Sequence, residues 1–255
     1  MAEVVRPSLF SQISVQHGPA ALLGRVFLLC EAQLRERDVS LAFASMADLV
    51  AVNRANSDSW APLWSGFNPA FSRLSPDNSF CILGSNREGD VVAAQAARLL
   101  DWPDTNYHAE AESLRLMYAD PAASRLPGEQ CKVTALAAKG MSGRVVYSGA
   151  GWYRPDFRGK GLVSLLPRIS RSLAYTRWDS DCTVSMMAEP VYKGGVFPRL
   201  GYRNIEWDIR MSNSRGKIPR FALLWSKRDE MLEDLTEFLS GFEMSADAAR
   251  RVVDG

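Results

Sequence analysis

The stretch Tyr153-Arg154-Pro155-Asp156-Phe157-Arg158-Gly159-Lys160-Gly161-Leu162 separates two segments of different periodicity. Before it, residues 144–153 (RVVYSGAGWY) are rich in β-branched and aromatic side chains and read as a strand. After it, Leu162, Leu165, Leu166, Ile169 and Leu173 fall at i, i+3, i+4, i+7 and i+11, one apolar face of a helix. A glycine-flanked loop therefore joins strand to helix. Such a junction aims unpaired backbone N–H groups, at the positive end of the helix dipole, toward whatever anion approaches, and glycines let it come close. Arg158 and Lys160 add positive charge beside those amides, which suits a polyphosphate. The run is not GxxxxGK followed by Ser or Thr, and it lacks the third glycine of GxGxxG, so nucleotide hydrolysis and dinucleotide redox chemistry lose support. Arg168 and Arg171, further along the helix, read as a solvated face.

Within the strand itself, Gly149 and Gly151 predict a bulge. Downstream come a strand over 183–187, a short helix or turn over 191–200, and a strand over 202–211 with Ile205, Trp207, Ile209 and Met211 on one face. A strand over 221–225, a helix over 226–239 and a frayed tail over the last dozen residues follow. Upstream, 19–37 reads as an amphipathic helix and 39–44 as a strand. Ser45 with Asp48 forms a capping box that opens a helix to about Asn56. Residues 60–74 read as an aromatic-rich loop, and 80–84 with 91–100 as a hairpin. An insert over 101–143 holds a helix over 107–118 and a turn-rich stretch over 121–128. The fold class is α/β (α+β): a mixed, mostly antiparallel sheet flanked by helices. The expected organisation is an N-terminal extension helix (1–38), a core domain (39–213) carrying the insert, and a C-terminal strand and helix extension (214–255).

Composition narrows the function. In 255 residues, 30 Lys and Arg oppose 29 Asp and Glu, a formal net charge of +1, which offers no global field for nucleic acid or an anionic membrane. A small or neutral partner is expected. No apolar run approaches the roughly 18 to 20 residues that span a bilayer, and the opening residues lack a secretory pattern, so a cytoplasmic location is expected. Cys30, Cys81, Cys131 and Cys182 form no CxxC pair and read as reduced, mostly buried thiols. With only two histidines and no paired ligand spacing, no metal is expected.

The run Arg158-Gly159-Lys160-Gly161-Leu162-Val163 resembles the acyl-CoA-binding motif of the GNAT family of N-acetyltransferases, Gln/Arg-x-x-Gly-x-Gly/Ala. About forty residues on, Phe197-Pro198-Arg199-Leu200-Gly201-Tyr202 is similar to that family's Tyr-x-x-Leu-Gly-Phe. The order of elements from Val39 to Met211 also follows the family. The resemblance implies a sheet splayed at the coenzyme A site, acetyl-CoA as co-substrate, and a small-molecule amine or a protein amino group as acceptor. It implies that Arg158, Gly159, Lys160, Gly161, Leu162 and Val163 hold the diphosphate, and that main-chain groups near Gly151 and Tyr153 pair with the pantetheine arm. Val163 departs from the small residue of the motif, Pro167 predicts a local kink about one turn into the helix, and Phe197 replaces the tyrosine that protonates the departing thiolate.

The expected reaction is direct attack of a primary amine on the thioester. A base must first deprotonate the ammonium. Glu189, closing the strand over 183–188, is the candidate base, or else a strand-end carboxylate facing water; Tyr192 is the candidate for the missing hydroxyl. The rival expectation is a catalytically inactive module of the same fold that binds or senses coenzyme A. The terminal extensions can cover the core or pair two subunits as a homodimer.

Overall fold

In the computed structural model of the chain, residues 7–253 are described, with side chains to Met244. Eight strands form one sheet in the order β1-β2-β3-β5-β6-β8-β7-β4. They are β1 (Ser40–Ala44), β2 (Ser79–Ser85), β3 (Val91–Trp102), β4 (Gln130–Val133), β5 (Gly143–Tyr153), β6 (Cys182–Ala188), β7 (Asn204–Ser212) and β8 (Arg220–Lys227). Every pairing is antiparallel except β5 with β6. A parallel pair needs a crossover, and helix α5 (Leu162–Trp178) supplies it. This is the mixed, mostly antiparallel sheet that the sequence implies.

Helices α1 (Ala20–Arg35), α5 and α7 (Arg228–Val253) pack together, and a core of Leu23, Val26, Cys30, Leu165, Ile169, Val146 and Leu235 forms between them and one face of the sheet. α2 (Met46–Ala55) starts with the expected box, Ser45 Oγ accepting from the Asp48 N–H at 3.0 Å and Asp48 Oδ2 from the Ser45 N–H at 3.0 Å. The opposite face is covered by the aromatic loop over 60–74 and by the insert, whose helices are α3 (Tyr107–Glu112) and α4 (Pro121–Ser124). A short helix α6 (Glu189–Lys193) follows β6.

Five features of the secondary structure differ from the sequence expectation. The insert contains a strand, β4, which pairs with β7 at the far edge of the sheet. Its helix stops at Glu112 rather than Tyr118, because the chain turns at Leu114 with φ 64°. In β7 a register shift between Trp207 and Ile209 splits the expected face: Ile205 and Trp207 pack beside Tyr202 and Met187, whereas Ile209 and Met211 enter the main core. The strand expected within a C-terminal extension lies inside the sheet, β8 pairing with β6 on one side and β7 on the other. Backbone helix continues to Val253 where a frayed tail is expected; the side chains after Met244 and the last two residues lie outside the described residues.

Arg168 and Arg171 do not form a solvated face. Both are buried, and Asp234 of α7 accepts from Arg168 Nε at 2.9 Å and Nη2 at 2.7 Å, and from Arg171 Nη2 at 3.4 Å. Arg171 also donates to the carbonyls of Leu200 at 2.8 Å and Gly201 at 3.1 Å. The two guanidinium groups thus hold the Leu200-Gly201 turn in place. Gly201 has φ 75°, and a Cβ there would lie 2.4 Å from Asp234 Oδ2 and 2.7 Å from each Arg Nη2, so only glycine fits. Removing the carboxylate leaves two buried cations unpaired. Asp234→Ala is expected to lower the free energy of unfolding by about 3–5 kcal/mol in urea denaturation, whereas a surface change such as Glu233→Ala moves it by less than ~0.5 kcal/mol.

Candidate active site

β5 and β6 pair over three positions only, Val145↔Cys182, Val146↔Thr183 and Tyr147↔Val184. Beyond them β5 runs on to Tyr153 and β6 to Ala188 without bonding to each other, and the Tyr147 hydroxyl accepts from the Met186 N–H at 3.2 Å in the gap. On its other edge β5 carries the bulge expected from its glycines: Gly149 faces Ala96 and Trp152 faces Ala94, leaving Ala150 and Gly151 opposite Gln95 alone. Ala150 takes φ 54°. A Cβ on Gly151 would lie 3.2 Å from Gln95 Oε1. Gln95 Nε2 donates to Ser148 Oγ at 3.2 Å, which lies 3.1 Å from Ser170 Oγ, so a buried polar chain ties the bulge to α5.

At the end of the cleft stands the glycine loop. Gly159 and Gly161 both have φ 78°, and Gly161 is the N-cap of α5. Among the described residues, the N–H groups of Gly161, Leu162 and Val163 donate to no protein acceptor, as the first turn of a helix leaves them. The Leu162 side chain is buried in the core, so that residue offers its amide alone. Val163 is half-buried and lines the cleft. α5 runs unbroken through Pro167.

The charges of the loop are disposed differently from the sequence expectation. Arg158 is a strut: its Nε donates to the Tyr153 carbonyl at 3.1 Å and its Nη2 to the Ser59 carbonyl at 3.0 Å, which pins the aromatic loop to β5. Lys160 Nζ sits 3.9 Å from the centroid of the Phe157 ring. A further cation, Arg37, arrives from the segment after α1. Its Nε donates to the Lys160 carbonyl at 2.7 Å, and a Cβ on Gly161 would lie 3.8 Å from its Nε and Nη2. No local pattern in the sequence marks Arg37 for this place, since the contact spans 123 residues.

The cleft opens into a cavity of about 660 Å³. Trp60 stacks on Trp152 at 5.2 Å, Trp64 on Tyr147 at 4.3 Å, and Trp152 Nε1 donates to Ser59 Oγ at 3.1 Å. Glu129 is the one carboxylate among the described lining residues; it accepts from the Tyr118 hydroxyl and, at 2.9 Å, from the Leu126 N–H. Glu189 and Tyr192 are absent from the lining. Glu189 starts α6 and pairs with Lys193 at 3.2 Å and Arg220 at 3.3 Å; these cations hold its carboxyl below the ordinary range, so it is a weaker base than a free glutamate. Tyr192 is exposed, edge-on to Trp207 at 5.4 Å. Both candidates therefore fall outside the cleft, because α6 turns its N-terminal carboxylate toward Arg220 of β8. Three tyrosines line the cavity, Tyr147, Tyr153 and Tyr202; the Tyr147 hydroxyl is taken by the Met186 N–H, and Tyr202, whose phenol burial holds protonated with the Arg171 guanidinium 4.3 Å from its ring opposing the shift, donates to the Val184 carbonyl at 3.4 Å. Gly201-Tyr202 is legible as part of a motif, but the hydroxyl sits at the opposite end of that motif from the expected one.

Among the described residues no cluster of His, Cys, Asp and Glu is arranged to hold a metal ion, and no helix is long and apolar enough to cross a membrane. No family model and no curated protein matches the chain. Solved structures do resemble it. A variant of the spermidine N-acetyltransferase SpeG from Vibrio cholerae superposes with a TM-score of 0.44 at 10% identity, covering 77% of this chain and 97% of that one. A ribosomal-protein-S5-alanine acetyltransferase from Vibrio fischeri gives 0.44 at 10% identity over 75% and 94%. A protein from Bacillus halodurans gives 0.45 at 12% identity over 80% and 91%. Likenesses with TM-scores below 0.5 carry no weight as to activity, for which the residues of the cleft are the guide.

Burial pushes the thiols of Cys30, Cys131 and Cys182 up from 9.0 to about 12. Between those values the unfolded chain has released protons that the folded chain keeps, so stability is full below pH 9 and falls as pH rises toward 12. The urea midpoint under reducing conditions is expected to drop across that window, less steeply in Cys30→Ala. At pH 8 the native protein should react slowly with a thiol reagent.

Proposed function

We propose that the chain is an acyl-CoA-dependent N-acyltransferase, acetyl-CoA being the donor, acting on an amine by direct attack on the thioester. The observation that carries this is the parting of β5 and β6 above a bulge, in a cleft that ends on the free amides of Gly161, Leu162 and Val163. Those amides suit a diphosphate, with Arg37 and Lys160 as neighbouring cations. The β5 edge from Ser148 to Tyr153, unpaired toward β6, suits the amides of a pantetheine arm, which can add to it as a strand would. Gly151 and Tyr153 lie on that edge.

The reaction forms a bond from the amine nitrogen to the thioester carbonyl carbon and breaks the bond from that carbon to sulfur. A backbone N–H freed by the bulge can stabilise the oxyanion. The thiolate leaves as coenzyme A and takes a proton, for which the Tyr202 hydroxyl is the candidate donor in place of Phe197 and Tyr192; the proton that the attacking nitrogen sheds as the amide forms passes through solvent and restores the Tyr202 hydroxyl. The amine loses its proton to solvent before attack, since Glu189 is tied up in ion pairs. One observation favours a second reading, a coenzyme A-binding module without turnover: the family's tyrosine position is Phe197.

Calorimetry with acetyl-CoA and release of the CoA thiol separate the readings. Micromolar binding with turnover on an amine panel supports the enzyme, binding with no turnover supports the module, and no binding at millimolar ligand removes both. Gly161→Glu is expected to abolish binding, and Arg37→Ala to weaken it by about tenfold. Tyr202→Phe should cut kcat by about tenfold to a hundredfold, at the low end for a general acid because a thiolate leaves readily, with acetyl-CoA affinity unchanged. With no side-chain base, log(kcat/KM) should climb with a slope of about one from pH ~7 to ~9, following the free amine.

A further inference from the structure

We infer that the acceptor taken by this cavity is an amine borne on an apolar, aromatic body, and not a polyamine. The inference rests on the acyltransferase reading for its chemistry, but its physical basis is the lining itself. One wall is a set of rings at the point where β5 and β6 part. Trp64 lies on Tyr147 at 4.3 Å with 21° between planes, and Phe67 meets both edge-on at 5.4 and 5.6 Å. Met186, Met211 and Phe221 also line the cavity.

The wall depends on two residues without side chains. A Cβ on Gly66 would lie 2.1 Å from the Trp64 ring, so a side chain there would push the indole off Tyr147. A Cβ on Gly149 would lie 3.0 Å from Tyr147 and 3.2 Å from Phe67. The rings are thus seated flat against main chain; Phe67 and Tyr147 are buried, and the half-buried Trp64 ring is the one that presents a face to a ligand. Flat faces of this kind suit another ring, in offset stacking or edge-on.

Charge decides against a polyamine. Such a ligand keeps one or more ammonium groups after the reacting nitrogen is deprotonated, and each needs an anionic or carbonyl partner once out of water. The lining residues bear three guanidinium groups, of Arg158, Arg199 and Arg215, against the single carboxylate of Glu129, which already serves Tyr118 and Leu126. An arylalkylamine has no charge left once its nitrogen is free, and it buries its ring against Trp64 and Phe221. The cavity of about 660 Å³ runs from the glycine loop to the aromatic wall, so donor and acceptor share it, with the ring at the Trp64 end.

The test uses the full chain with acetyl-CoA and, as acceptors, 2-phenylethylamine, tryptamine, ethylamine and spermidine. The expected result is kcat/KM at least tenfold higher for the two aromatic amines than for spermidine or ethylamine. Equal or faster turnover of spermidine overturns the inference. So does a tenfold preference for hexanoyl-CoA over acetyl-CoA without discrimination among amines, since the apolar space would then serve the acyl chain. Trp64→Ala should raise KM for tryptamine by about tenfold; an unaltered KM for tryptamine counts against the inference. Direct titration of tryptamine at pH 8.5 without any CoA keeps the two readings apart. Saturable binding of tryptamine by a protein that does not bind acetyl-CoA sinks the acyltransferase reading and leaves the aromatic site standing, and absence of tryptamine binding sinks the aromatic site.

Discussion

The constraint on which the molecule turns is that β5 and β6 run parallel for three residue pairs and then separate. Parallel strands cannot be joined by a hairpin, so α5 must cross over, and its N-terminus arrives where β5 ends. Separation leaves backbone groups of both strands without sheet partners inside the protein, a state that is costly unless something bonds to them. The Tyr147 hydroxyl meets one such group, the Met186 N–H. The remainder line a cleft. Cleft, bulge and glycine loop are therefore consequences of one topological choice, and the chemistry proposed for the site uses each of them.

What the sequence disclosed was local. The strand, glycine loop and helix around Gly161 are legible because a change of periodicity and two glycines with positive φ fall within a dozen residues of one another. The bulge is legible for the same reason, as are the hairpin and the capping box. Partners supplied from far along the chain were not. Helical spacing puts Arg168 and Arg171 on a face but does not say that Asp234 waits there, and Arg37 reaches the loop across more than a hundred residues of chain. β4 is four residues long with one of its apolar side chains a cysteine, too short for alternation to stand out. β7 changes face at a register shift that composition does not mark.

Side-chain roles were harder still. Glu189 sits at the position a strand end promises, yet a carboxylate that opens a helix next to Arg220 satisfies its charge there. Arg158 carries the charge expected of a phosphate ligand and spends it on the carbonyls of Tyr153 and Ser59. That use still serves the site, because it fastens the loop bearing Trp60 and Trp64 to the strand that bears the bulge. Residue type and position announced a binding loop; only the packing shows which groups are free to bind.

The ion cluster around Asp234 has a bearing on assembly. Arg168 and Arg171 belong to the middle of the polypeptide, and their counter-charge belongs to its last helix. Without that helix, the two guanidinium groups keep the carbonyls of Arg199, Leu200 and Gly201 as partners but have no anion between them. The footing of the Gly201-Tyr202 segment at the rear of the cleft is thus charge-balanced from the far end of the polypeptide, by Asp234 of the carboxyl-terminal helix.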